Sequence, residues 1–144
     1  MAMGTLTKAN PNARELVTEI LDETLWWSTL KLIVEFLRAR AVDKVRVEFG
    51  FVVARDIAGK EQPPNKIVQL EDLEGFIETG FEEETIEWNG TSDFLFYPLG
   101  TELAFMLCND ADLHFASSDL LLLAELGGTI RSSGIKVYDS GHLT

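Results

Sequence analysis

Apolar positions recur at two different periods along the chain, and the change from one to the other lays out its elements. Asn12 and Glu15 have capping-box spacing, and Leu16, Val17, Ile20, Leu21 and Leu25 continue an apolar helical stripe. A second stripe, Leu30, Ile33, Val34 and Leu37, carries Lys31 and Glu35 as an i,i+4 pair on its outer side. One helix over 12–41 would run about 45 Å at 1.5 Å per residue. A compact domain of this length is only about 37 Å across. The spacing therefore predicts two helices broken near 22–28, with Trp26 and Trp27 at the joint.

From Lys44 the period becomes two. Val45, Val47, Phe49, Phe51 and Val53 fall on one side and Lys44, Arg46 and Glu48 on the other, which predicts a half-buried strand. Residues 56–65 are polar and Pro-rich and read as a connection. A short strand is expected over 66–70. A short helix using Leu70, Leu73, Phe76, Ile77 and Phe81 should follow, weakened by Gly75 and Gly80. Thr85–Trp88 reads as a strand running into the Asn89-Gly90 turn.

Residues 93–116 form the centre of the prediction. Phe94, Leu95, Phe96, Leu103, Ala104, Phe105, Met106 and Leu107 are apolar on both strand faces, and Pro98–Gly100 and Asn109–Asp112 interrupt them. That pattern gives three strands folding back on one another in the middle of a covered sheet. A helix over 120–130 follows, capped by Ser117 or Ser118, shortened or kinked at Gly127-Gly128 and ended by Ser133-Gly134. Ile135–Tyr138 makes a last strand. A strand–helix–strand ending allows one parallel pair.

The class is α+β. A mainly antiparallel sheet of about five to six strands is expected, packed by N-terminal helices and a helix near the C-terminus. Residues 1–10 read as a flexible tail and 11–144 as a single domain.

Composition adds bounds. With 46% hydrophobic and 25% charged residues the chain is globular. No apolar run approaches the roughly 18 residues of a membrane span. The first ten residues lack the apolar core of a signal peptide, so a cytoplasmic location is expected. The single Cys108 excludes an internal disulfide and reads as a small hydrophobe.

Charge changes the picture more. The formal net charge is −12, which argues against direct contact with nucleic acid or an anionic membrane. Residues 67–130 contain no Lys or Arg but fourteen acids, whereas 31–66 carry eight basic residues against five acidic. The densest acids are Glu71, Asp72, Glu74, Glu78, Glu82, Glu83, Glu84 and Glu87. Such a surface repels itself and suits a basic partner.

Candidate chemistry is sparse. On one continuous strand, Asp110, Asp112 and His114 would share a face and could hold a divalent metal for hydrolysis. The competing reading is a turn at Asn109–Asp112, which the turn preferences of Asn and Asp favour and which would destroy that alternation. Cys108 and His114 lack a third group to make a nucleophilic set. There is no Gly-x-Ser-x-Gly elbow, phosphate loop or dinucleotide fingerprint, and no cofactor is expected.

Trp26, Trp27 and Trp88, with Phe94, Phe96 and Tyr97, could line a pocket for a small apolar ligand. Adjacent Trp26 and Trp27 cannot share one side of a helix, so one is a candidate interface anchor. That Trp, with the alternately charged strand 44–54, offers a surface for a homodimer. The leading expectation is a small acidic interaction module that binds a basic protein, as an inhibitor or immunity-like protein would. The alternatives are a metal-dependent hydrolase and a binder of small apolar ligands.

Overall fold

The structure is a computed structural model and describes residues 12–49, 66–82, 94–107 and 111–139. The elements run β1 (Arg14–Thr18), α1 (Glu23–Arg38), β2 (Lys44–Phe49) and β3 (Lys66–Gln69). A 3-10 turn (Leu70–Asp72) leads into α2 (Leu73–Glu82), and β4 (Phe94–Pro98), β5 (Leu103–Leu107) and β6 (Leu113–Ser117) follow. The chain closes with α3 (Leu120–Ser132) and β7 (Val137–Asp139). The seven strands form one sheet in the order β3-β2-β4-β5-β6-β1-β7. Every pairing is antiparallel. This is an α+β fold with two more strands than the lower expectation.

The predicted central stretch is the meander β4-β5-β6. Phe96 pairs with Phe105 and Phe105 with Phe115, and the Phe96 and Phe105 rings stack 4.7 Å apart. Leu107 pairs with Leu113; β5 ends at Leu107 and β6 begins at Leu113, so Ala111 and Asp112 precede β6 rather than belong to it, and Asn109 and Asp110 lie outside the described residues. Ala111 there takes a left-handed φ of 64°.

The N-terminus departs from expectation. The first apolar stripe is a strand, and α1 is the single helix before β2 among the described residues. Glu15, Leu16, Val17 and Thr18 are all buried because β1 is clasped between β6 and β7. Pairing on both edges outweighs a helical spacing only a few residues long. The break falls at 19–22, ahead of the Trp pair. There the Asp22 side chain accepts the Leu25 N–H at 2.8 Å and caps α1.

Trp26, Leu30, Ile33, Val34 and Leu37 give α1 its buried stripe. Its end is a Schellman closure: Val42 N–H donates to Leu37 O, Ala41 N–H donates to Arg38 O, and Ala41 sits at φ 64°. Lys31 does not pair with Glu35 but with Glu74 on α2.

The buried side chains of all three helices join one core with Leu16, Val45, Val47, Phe94, Phe96, Phe105, Leu107, Leu113 and Phe115. These strand residues share one parity, so the described helices cover one face of the sheet. The opposite face is also closed at its centre, where Met106 and His114 are 1% and 3% exposed.

β6 and β7 do run parallel to each other, as a strand–helix–strand ending implies, but β1 lies between them and pairs antiparallel with both.

Neither glycine breaks α3, which runs unbroken from Leu120 to Ser132. Its cap is Asp119, accepting from Leu122 N–H, while Ser117 Oγ accepts the Asp119 N–H. A Cβ on Gly127 would lie 3.0 Å from Leu16 Cδ1, whereas one on Gly128 would meet nothing within 4 Å. Gly128→Ala should therefore stabilise the protein by about 0.5–1 kcal/mol in urea unfolding. Gly127→Ala should lose that gain to displacement of Leu16. Equal gains at both positions would show that α3 does not seat on Leu16.

Candidate functional site

The acidic residues of the 3-10 turn and α2 lie beside one another in the structure. Glu71, Asp72, Glu78 and Glu82 are exposed and Glu74 is half-buried. Leu70, Leu73 and Ile77 anchor the turn and the helix in the core, which turns the acids outward. Glu74, Glu78 and Glu82 are spaced i, i+4, i+8 and so form one stripe along α2. Lys31 reaches Glu74 at 3.3 Å. Among the described residues no ion pair involves Glu71, Asp72, Glu78 or Glu82. Nor does α2 carry a basic residue in its last turn. Glu83, Glu84 and Glu87 lie outside the described residues.

The basic segment supplies cations elsewhere. Arg40 bonds Glu125 at 3.0 Å and lies 3.6 Å over the Phe36 ring. Arg46 pairs with Glu48 and stands 4.4 Å over the Tyr97 ring. Burial pushes the Tyr97 phenol above its ordinary value, and the Arg46 guanidinium opposes that rise.

Of the metal candidates, Asp110 lies outside the described residues. Asp112 and His114 do meet, with Asp112 Oδ1 3.1 Å from His114 Nε2. The third group at the imidazole is one the sequence reading missed. Glu15 Oε2 on β1 contacts His114 Nδ1 at 2.7 Å. Glu15 and His114 are 2% and 3% exposed. The result is an imidazole with a carboxylate at each ring nitrogen. Among the described residues no group of three His, Cys, Asp or Glu could hold a metal ion.

The sequence signal for Glu15 was a lone charge in Glu-Leu-Val-Thr. It reads equally well as the partner of Asn12 in a helix cap.

Trp26 is wholly buried and Trp27 half-buried, their rings 6.5 Å apart. Trp26, Phe94 and Phe96 all belong to the packed core. Trp88 lies outside the described residues. A shallow groove of about 350 Å³ runs between α1 and the segment joining α3 to β7, lined by Leu25, Ser28, Leu32 and Ile135 with Lys31 and Glu35. None of the predicted aromatic residues lines it.

Against known proteins the result is negative: no protein-family model, curated protein or solved structure matches the chain.

Proposed function

We propose that this chain is an interaction module whose acidic α2 surface docks a basic patch on a partner protein, as an inhibitor or immunity-like protein does. One observation carries the reading. Glu74, Glu78 and Glu82 form a single row that runs to the C-terminal end of α2, and only Glu74 meets a cation among the described residues.

Such a row works against the free protein. Like charges at i,i+4 destabilise a helix by about 0.2–0.5 kcal/mol per pair. A carboxylate near a helix C-terminus also faces the negative end of the macrodipole. Among the described residues only Lys31 offsets the row, and a local arrangement that opposes stability is a feature expected of functional surfaces. A cationic partner would relieve both terms and would be steered in at a rate that falls with salt.

The test compares wild type with the double variant Glu78→Gln/Glu82→Gln. The variant should unfold at a higher urea concentration, by a few tenths of a kcal/mol. Binding to immobilised poly-lysine, a stand-in for a basic protein surface, should drop at least tenfold in 50 mM salt and vanish for both proteins in 500 mM salt. Protein partners captured from extract should follow the same order. Partners retained at high salt, or captured equally by the variant, would place the docking surface elsewhere.

A further inference from the structure

The acidic surface leaves one group unused: buried Glu15 and His114 with half-buried Asp112. Glu15 stands on β1, His114 on β6, and Asp112 in the connection just before β6. Across the sheet His114 is paired with Val17 of β1 and Met106 of β5, and Glu15 with Ala116. Among the described residues the charged groups that face the ring are Glu15 and Asp112.

The carboxyl groups at its two nitrogens bear on the state of the ring. A neutral imidazole offers one N–H and one lone pair. With a carboxylate oxygen 2.7 Å from Nδ1 and another 3.1 Å from Nε2, a neutral ring would turn its lone pair on an anion. An imidazolium attracts both. Among the described residues Asp112 Oδ1, itself buried, accepts no hydrogen bond, and its approach to Nε2 is an off-axis electrostatic contact. A buried anionic oxygen in that position calls for nearby positive charge.

We propose that His114 is carried as an imidazolium at neutral pH and acts as a proton-held latch tying β1 to β6 and its preceding turn. Loss of that proton leaves two carboxylates and a neutral ring in contact and loosens the joint. The linkage has a definite sign. The folded chain keeps a proton that an unfolded histidine, with its ordinary value near 6.5, largely releases at neutral pH. The latch therefore contributes in full below that ordinary value and is lost as pH rises through the higher value at which the folded ring deprotonates. Each pH unit between the two is a tenfold change in the unfolding constant.

The chain has two histidines, so His142→Gln leaves one ring to observe. Imidazole NMR spectra of that protein, treated with EDTA, are recorded from pH 5 to 9. At pH 7 His114 should be doubly protonated, and its titration midpoint should fall by at least one unit in Glu15→Gln. If Glu15→Gln does not fold, Asp112→Asn at the partly exposed end of the group should lower the midpoint in the same direction. Urea midpoints should decline from pH 6 to 9 in the His142→Gln protein and stay flatter when His114→Gln is added. A single neutral tautomer at pH 7 would overturn the proposal. So would a midpoint unmoved by loss of either carboxylate.

Discussion

Phe105→Ala should cost about 3–5 kcal/mol, the loss expected when a fully buried ring leaves a cavity. Phe105 lies on β5 near the middle of the sheet and is fully buried. Its ring stacks on Phe96 at 4.7 Å and on Phe115 at 6.3 Å, with interplanar angles of 6° and 22°. Helix side chains close the layer above it. Truncation removes partner atoms from two rings and from the helices at once, and strands paired on both edges have little room to collapse inward. A domain stable by about 5–15 kcal/mol would lose a large share of that margin. Urea unfolding measures the loss directly. Phe105→Leu keeps most of the volume and should lose clearly less, and equal losses would show that the ring stack is not central.

Glu15→Leu should be comparably severe, about 3–5 kcal/mol at pH 7, because it leaves a buried imidazole without its closest carboxylate. The informative protein is the double variant Glu15→Leu/His114→Leu. Removing both members takes the charge out of the interior, and apolar replacements of similar size for a buried ion pair are often neutral or stabilising. The double variant should therefore be more stable than Glu15→Leu alone. Four urea curves complete the cycle, and additive losses would mean that Glu15 and His114 do not interact.

How far the sequence discloses this architecture depends on how local each determinant is. The β4-β5-β6 meander is legible because alternation, aromatic content and turn residues coincide within one stretch of chain. β2 is legible because Lys44, Arg46 and Glu48 interleave with Val45 and Val47, and both valines are buried. β1 is not, since Leu16, Val17 and Leu21 fit a helical stripe as well as a strand edge. Its true partners are β6 and β7, about a hundred residues downstream.

The same holds for the sites. The density of acid in 71–82 can be counted, but Lys31 passing over Glu35 for Glu74 depends on how α1 meets α2. The Glu15–His114 contact joins positions 99 apart, and no spacing rule reaches that far. The approach of Asp112 to the imidazole depends on β6 beginning at Leu113, which residue types alone do not fix.

β1 also has a consequence for how the molecule comes together. Both of its neighbours are made later, β6 at 113–117 and β7 only at 137–139. Leu16 and Val17 thus leave the ribosome before the residues they pair with have been made. Ordering so distant a segment demands large loop closures before any contact rewards them, which slows folding. At this point synthesis and assembly run in opposite directions: β1 is made before β6 and β7 but can settle only once they follow.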